Sequence, residues 1–223
     1  MSKNIEVNDK VYAREPIQTH FVQPNESYVD LVKQYVIPKY KENDTLFISE
    51  KIISICQNNL IYKDKMKLSF WAKTLSKFVN VTPAGEAVGN PYKMQYAIDT
   101  AGLPRILFAA FCGAVGKVLH KKGWFYIVAG NGIAGIDGFT GDAYPEYANL
   151  GIPLPKEPTK VCQNIEDATG IPCVLVDANY IGVEILGKSS KASSDDEFLK
   201  KVIKDNPAGQ GQERTPFVLM RHE

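Results

Sequence analysis

The stretch from Gly130 to Asp142 limits most strongly what this chain can fold into. It holds five glycines and two carboxylates, Asp137 and Asp142, within thirteen residues. Glycine permits positive φ and close backbone approach, and the prolines and glycines that follow, from Pro145 onward, are typical of loops. We therefore predict a loop here. Carboxylates in a glycine-dense loop suit a metal-bound phosphate, and a plain glycine-rich turn between strands remains the alternative.

The same loop matches a dinucleotide-binding motif in part. Gly130, Gly132 and Gly135 fit G-x-G-x-x-G, and they follow the apolar run Trp124–Val128, which we interpret as a strand. That motif requires a helix to begin inside it, with an acidic residue about 20 positions later. Loop-forming residues follow instead, so we do not expect a dinucleotide-binding fold.

Composition and charge exclude several classes of protein. The chain has 223 residues, 44% hydrophobic and 23% charged, which allows one large or two small globular domains. A net charge of +1 and the lack of a Lys/Arg block argue against nucleic-acid or membrane partners. The N-terminal residues lack the apolar core of a signal peptide. We expect a cytoplasmic protein.

Cysteine and histidine patterns give no metal-binding motif. The four cysteines form no C-x-x-C pair, which favours reduced thiols over structural zinc. His20, His120 and His222 lie far apart and share no motif.

Hydrophobic periodicity and end signals predict an α+β fold with mixed or antiparallel sheets and packed helices. Helices are expected over 27–36, 68–79, 91–101 and 159–169, and after a capping box at 194–197. Asn90 is the expected cap and Gly102 the expected end of the third helix, and Gly170 is the expected end of the fourth. The run 106–119 indicates a buried helix or a tightly packed turn. Strands are expected over 44–55, with a hairpin into 60–62, and over 173–176, 183–186 and 217–220.

Charged residues at the ends of apolar segments are candidates for a site. Glu50 and Lys51 interrupt an apolar strand pattern, and Lys51 would suit a phosphate contact. Asp177 ends an apolar strand, where a carboxylate can be presented to Mg²⁺ or Mn²⁺. The loop 209–215 could cradle phosphate with its backbone N–H groups. The alternative for Glu50 and Lys51 is a solvated strand face, and for Asp177 an Asx turn or helix cap. The alternative for the loop 209–215 is a flexible connector. Glu184 is a weaker third acid.

These segments resemble the coenzyme F-420-0:L-glutamate ligase family, the gamma-glutamyl ligases of deazaflavin coenzyme synthesis. The resemblance covers most of the chain, and its specificity lies in the order and spacing of its segments. They are Arg14–Ile17, Asp44–Ser54, Ala134–Gly138, Val174–Asp177 and Thr215–Arg221.

The resemblance implies a ligase that joins the amine of glutamate to a carboxylate with GTP and Mg²⁺ or Mn²⁺. It implies a gamma-glutamyl ligase-like fold, a single module over residues 1–223 with two intertwined subdomains as the alternative, and a homodimer. By the same resemblance Asp137 and Asp177 bind metal. The nucleotide-binding positions implied are Glu50, Lys51, Ser54, Thr140, Gly209, Gln210, Gly211, Gln212 and Glu213.

Three positions depart from the family pattern. Ile55 stands where a lysine is common, Thr140 replaces an asparagine, and Ala178–Gly182 replaces a basic segment. The acids that the resemblance assigns to metal are kept, but each departure removes an expected nucleotide or substrate contact. We therefore leave open the acceptor and the choice between GTP and ATP. A non-catalytic nucleotide- or cofactor-binding homologue and a metal-dependent phosphohydrolase are the alternative functions. A ligase also needs a general base for the attacking amine, and the sequence identifies none.

Overall fold

The computed structural model describes residues 3–79, 87–121, 123–130, 132–139, 145–178, 182–209 and 211–222. The chain divides into two compact units. The first combines residues 1–59 with 155–223, and the second consists of residues 60–154. The second unit is therefore an insertion in the sequence of the first.

Strands and helices are mixed along the chain, and the predicted α+β class is confirmed at this level. The strands are β1 (Lys3–Val7), β2 (Lys10–Ile17), β3 (Thr45–Ser49), β4 (Ile61–Tyr62), β5 (Asp137–Gly138), β6 (Leu150–Ile152), β7 (Cys173–Ala178), β8 (Val183–Lys188) and β9 (Phe217–His222). The helices are α1 (Tyr28–Leu31), α2 (Glu50–Cys56), α3 (Phe70–Leu75), α4 (Pro91–Ala101), α5 (Leu103–Val118), α6 (Trp124–Ala129), α7 (Pro158–Thr169) and α8 (Asp196–Ile203).

The first unit is built on a six-stranded mixed sheet in the order β1-β2-β9-β3-β7-β8. Only the interior pair β3 and β7 is parallel, and every other neighbouring pair is antiparallel. Phe47 and Val174 in that pair are buried, and they share a core with Leu199 and Val202 of α8 and with Val218 of β9. Burial on both faces explains why β3 and β7 appear in the sequence as continuous apolar runs.

Most element ends in the first unit agree with the sequence prediction. Ser27 caps α1 by accepting from the Asp30 N–H, and Gly170 ends α7 with a φ of +76°. The expected strands over 173–176, 183–186 and 217–220 form, each a few residues longer. The cap of α8 is Asp195, one residue past the predicted Ser194.

The predicted strand over 44–55 is wrong in its second half. The strand ends at Ser49, and Glu50–Cys56 forms α2. Ile52, Ile53 and Ile55 favour a strand by intrinsic preference, yet each is buried on α2, and burial overrides such preferences. The predicted hairpin is also absent, since β4 pairs with β6.

The first unit holds its two insertion points together. The Gln57 side-chain amide donates to the Lys156 carbonyl oxygen at 2.8 Å, and the Lys156 N–H donates back to Gln57 Oε1 at 2.8 Å. The chain therefore leaves and re-enters this unit at adjacent places.

The second unit combines a three-stranded sheet, β4-β6-β5, with helices α3 to α6. The predicted helix over 68–79 forms as α3 with a short 3₁₀ turn after it. Asn90 caps α4 by accepting from the Tyr92 N–H, and Gly102 ends it, both as predicted.

The predicted strand over 124–128 is wrong, because these residues form α6. Aromatic and β-branched side chains suggested a strand there. Glycines in α5 allow a close helix pair instead. A Cβ added at Gly113 would lie 3.2 Å from Phe125 Cβ, and one at Gly116 would lie 3.1 Å from the Trp124 ring.

The predicted helix over 106–119 forms as α5, but it is only partly buried. Ile106 and Ala109 are buried, whereas Phe108 is 60% exposed, Phe111 64% and Val118 77%. Among the described residues no single helix is long and apolar enough to cross a membrane. Helices α4 and α5 together have the length and apolar composition of a membrane-spanning helix, but the chain bends by 120° between them.

Arg14 is a buried cation that ties three parts of the first unit together. Its guanidinium forms an ion pair with Asp205 just after α8, with one Nη2–Oδ2 distance of 3.0 Å. It also donates to the carbonyl oxygens of Lys3 and Val202, each at 3.0 Å. These bonds hold the pKa of Asp205 below its ordinary value. The paired carboxylate is what makes burial of this cation tolerable.

We expect Asp205→Asn to lower the free energy of unfolding by about 1–3 kcal/mol at pH 7, because Arg14 loses a charged hydrogen-bond partner. The pKa of Asp205 is lowered in the folded state, so its contribution is present above the ordinary pKa of about 3.9 and is lost as pH falls through the lower folded value. Equilibrium urea unfolding at pH 7 and pH 3 measures this difference. Glu6→Gln, an exposed carboxylate on β1, is the control. An equal loss at both pH values would contradict the ion-pair interpretation.

Candidate functional site

The parallel pair β3 and β7 brings two predicted site segments to one edge of the sheet. Ser49, at the end of β3, is the register partner of Val176. Glu50 and Lys51 directly follow Ser49, and Asp177 directly follows Val176, so all three lie at the carboxyl ends of neighbouring strands. Each of the three is half-buried. Such an edge is where ligands bind in many mixed α/β sheets.

Glu50 and Lys51 occupy the first turn of α2 rather than a strand face. The Ser49 hydroxyl donates to Glu50 Oε2 at 3.3 Å, which holds the carboxylate near the end of β3. Ser54 lies one turn further on and is completely buried. Glu50 and Lys51 are therefore more accessible than Ser54.

Strand β8 places a second carboxylate beside Asp177. Glu184 is the register partner of Asp177 in the antiparallel pair β7–β8. Directly opposed residues point to the same face, with Cβ atoms about 5 Å apart, and like charges in that position repel each other. A cation bound between the two carboxylates would relieve this repulsion.

The segment 206–215 reaches the same edge because β9 runs antiparallel to β3. The Ser49 N–H donates to the Pro216 carbonyl oxygen at 2.9 Å, just before β9 begins. The side-chain amide of Asn206 donates to the carbonyl oxygens of Ala178 and Gly209, both at 3.1 Å. This loop is therefore fixed next to the residue that follows Asp177.

Glu213 folds back over the glycines of that loop. A Cβ added at Gly209 would lie 2.8 Å from the Glu213 Cδ, and one at Gly211 would lie 3.1 Å from Glu213 Oε2. Gly209 also has a φ of +83°, which disfavours any other residue. Gly211, Gln212 and Glu213 are exposed, and Gln210 lies outside the described residues.

His20 lies at this edge as well, and the sequence did not indicate it. Strand β2 pairs with β9 in the register Ile17–Phe217, so the chain after β2 emerges beside the start of β9. The Thr19 N–H donates to the Arg214 carbonyl oxygen at 2.8 Å. The side chains that contact the ring share no sequence motif with His20, so only the structure reveals the group.

Two side chains bracket the His20 imidazole. Its Nε2 lies 2.8 Å from Glu26 Oε2, and its Nδ1 lies 2.7 Å from the Tyr35 hydroxyl. The Gln23 N–H donates to the other Glu26 oxygen. The arrangement is a carboxylate, an imidazole and a hydroxyl in sequence, which suits proton transfer.

The two predicted metal ligands belong to different units. Asp177 lies in the first unit, whereas Asp137 lies on β5 of the second, half-buried and paired in register with Ile152. Thr140 and Asp142 lie outside the described residues. Across the ranges that the structure describes, no group of three or more His, Cys, Asp and Glu side chains could hold a metal ion.

Packing within the second unit accounts for much of the glycine-rich stretch. A Cβ added at Gly135 would lie 2.7 Å from the Leu154 side chain. Gly138 has a φ of +82°, and a Cβ there would collide with the Leu150 carbonyl oxygen. The stretch contains a 3₁₀ turn and the short strand β5. Gly135 and Gly138 thus satisfy close packing, and they are not in themselves an indication of phosphate binding.

An open cavity of about 600 Å³ lies in the second unit. Ile61, Lys65, Gln95 and Asp99 contribute to its wall, and its described lining includes none of the predicted site residues.

Comparison with known proteins adds no relative. No protein-family model matches the chain, and no curated protein matches it.

We expect Gly138→Ala to destabilise the protein more than Gly123→Ala. Both glycines have positive φ, which costs an alanine about 1–2 kcal/mol. Only Gly138 also has a backbone oxygen in the way, since nothing lies within 4 Å of a Cβ at Gly123. Thermal unfolding of the two variants measures the difference. Equal melting temperatures would show that the close approach at Gly138 is not a packing requirement.

Proposed function

We propose that this chain is an NTP- and divalent-metal-dependent ligase that forms an amide bond between glutamate and a carboxylate acceptor. The acceptor would be the deazaflavin coenzyme F-420-0 or another carboxylate. The observation that carries the proposal is the shared edge of β3, β7 and the loop before β9. Three segments that the family resemblance assigns to metal and nucleotide binding meet there.

The residues at this edge suit phosphate and a divalent metal. Mg²⁺ and Mn²⁺ prefer oxygen ligands, and Mg²⁺ is usually held by one or two carboxylates together with substrate phosphates. Asp177 would provide one such carboxylate, and its opposition to Glu184 supports a cation between them. Such a metal would neutralise phosphate charge and align the reacting groups. The role of Asp137, in the other unit, stays a prediction from the resemblance.

Cationic and backbone groups would hold the nucleotide. Lys51 would contact phosphate oxygens from the first turn of α2, and the loop Gly209–Glu213 would add backbone N–H groups. The asparagine bonds that fix this loop beside Ala178 support its placement near the metal.

The reaction would proceed in two displacements. A carboxylate oxygen of the acceptor attacks the γ-phosphorus, and the bond to the leaving nucleoside diphosphate breaks. The glutamate amine then attacks the acyl carbon, inorganic phosphate leaves, and a proton is lost from nitrogen. The second step needs a neutral amine and therefore a base.

We expect GTP with Mn²⁺ to raise the thermal stability of the wild type, and Asp177→Asn to abolish that rise. A ligand at a hundredfold its Kd adds about 2.7 kcal/mol to the free energy of unfolding. Differential scanning fluorimetry with GTP, GDP and ATP, each with and without Mn²⁺, measures it. Glu6→Gln is the control, because β1 lies at the far side of the sheet. An unchanged shift in Asp177→Asn would contradict the assignment of this edge.

Product analysis separates the ligase from its two alternatives. A ligase releases phosphate only when both glutamate and the carboxylate acceptor are present. A metal-dependent phosphohydrolase would release phosphate from GTP alone. A non-catalytic nucleotide- or cofactor-binding protein would show the thermal shift without phosphate release under any of these conditions.

The exposed apolar side chains of α5 and α6 support the homodimer that the resemblance implies. Phe108, Phe111 and Val118 recur at helical spacing along α5, and Ile127 on α6 is 75% exposed. A phenylalanine offers roughly 200 Å² of surface, so these side chains and Leu119 expose on the order of 500 Å². That is a large part of the roughly 800 Å² that each partner buries in a standard interface. We propose that a second copy of the chain covers this stripe.

We expect the double substitution Phe108→Glu and Phe111→Glu to convert the dimer to monomer, because burying two carboxylates in an apolar interface is strongly unfavourable. Sedimentation equilibrium gives the mass of each form. Phe70→Glu is the control, since Phe70 is 72% exposed but begins α3, where a carboxylate is favourable. A wild-type monomer, or a double variant that remains dimeric, would contradict the proposal.

A further inference from the structure

We propose that Glu26, His20 and Tyr35 form the proton relay that deprotonates the attacking glutamate amine. This inference rests on the proposed ligase function, and it assigns the base that the function requires. The three groups are linked by distances of 2.8 Å and 2.7 Å through the two ring nitrogens of His20.

The hydrogen bonds fix the direction of the relay. The Glu26 carboxylate can only accept, so His20 Nε2 carries a hydrogen and donates it to Glu26 Oε2. In the neutral ring Nδ1 is then the acceptor, and the Tyr35 hydroxyl donates to it. The His20 backbone N–H lies 3.4 Å from the same hydroxyl oxygen, as expected if that oxygen accepts from the main chain. In hydrolases, a carboxylate, an imidazole and a hydroxyl in this order activate the hydroxyl: the carboxylate orients the imidazole, and the imidazole accepts the hydroxyl proton.

The relay has access to substrate. The His20 side chain is 42% exposed and that of Glu26 is 29% exposed. The Thr19 N–H donates to the Arg214 carbonyl oxygen, and this bond places the backbone next to His20 beside the loop that contains Arg214. Arg214 belongs to the loop that Asn206 bonds to Ala178, so His20 and Asp177 lie at the same edge of the sheet.

The charged and titratable groups around His20 leave it as the proton acceptor. Glu26 and Tyr35 contact the ring, and Arg214 lies in the adjoining loop. On α2, burial together with the negative charge of Glu26 raises the pKa of Cys56 to about 12. That thiol therefore stays protonated near neutral pH and does not compete for the proton.

The proton transfers balance in two steps. The glutamate ammonium gives a proton to the Tyr35 oxygen while the Tyr35 hydroxyl proton moves to His20 Nδ1, which leaves a neutral amine. The amine nitrogen then bonds to the acyl carbon, the bond from that carbon to the phosphate oxygen breaks, and the leaving phosphate takes the electron pair and the second nitrogen proton. The imidazolium that forms is stabilised by Glu26 and later returns the proton to solvent.

Hydroxylamine separates the relay from the rest of the reaction. It traps an acyl phosphate as a hydroxamate, and it is uncharged at neutral pH, so it does not need an enzymic base. With GTP, Mn²⁺ and F-420-0, we expect His20→Gln and Tyr35→Phe to lower glutamate ligation by about 10²–10⁴-fold. We expect hydroxamate formation to stay within a few-fold of the wild type. His222→Gln, at the opposite end of β9, is the control and should change neither product.

The outcomes distinguish the relay from the proposed function. Variants that lose hydroxamate and amide equally would overturn the relay, because His20 would then serve folding or acyl-phosphate formation. Variants that keep glutamate ligation would overturn it as well. A folded wild type that makes neither product would overturn the proposed function with this acceptor, and the relay with it.

Discussion

One parallel strand pair, β3 with β7, determines where polar side chains can lie next to one another in the larger unit. Both strands are buried on their two faces, so polar side chains can appear only where the strands end. The register Ser49–Val176 makes those ends coincide. Strand β9, antiparallel to β3, then brings the preceding loop to the same edge, and β2 brings His20.

The buried polar groups of the first unit bond to other protein groups and hold its elements together. Arg14 is buried among backbone carbonyls and Asp205, and it holds the first strands against the end of α8. Its charge is satisfied by protein groups, so it offers nothing to a ligand. Glu50, Lys51 and Asp177 are half-buried on a scaffold that this buried pairing keeps in place.

Local signals in the sequence predicted much of the fold. Neighbouring residues determine the cap Asn90, the terminal Gly170 and the short apolar runs of β7 and β9. Those predictions are confirmed. The helices at 50–56 and 124–129 were missed because their β-branched and aromatic residues favour strands. Tertiary packing, including the close contact at Gly116, decided those two segments.

The candidate site was predictable only in part. Asp177 and the Glu50–Lys51 pair stand out in the sequence as charges bordering apolar runs, but their proximity depends on strand register. The glycines near Asp137 indicated a ligand loop, whereas packing against Leu154 and Leu150 accounts for Gly135 and Gly138. His20, Glu26 and Tyr35 are spread over sixteen residues without a common motif, so their contact follows from the fold alone.

The paired hydrogen bonds between Gln57 and Lys156 have a consequence for how such a chain can change over time. They join the two points of the larger unit between which the second unit is inserted. A change in the length of the inserted segment therefore costs little free energy, because closure entropy grows only with the logarithm of loop length. Segments 60–154 can therefore be lengthened, shortened or exchanged without altering the sheet that carries Asp177. A lineage of such proteins could keep the sheet edge that carries Asp177 while the inserted unit varies in length and sequence.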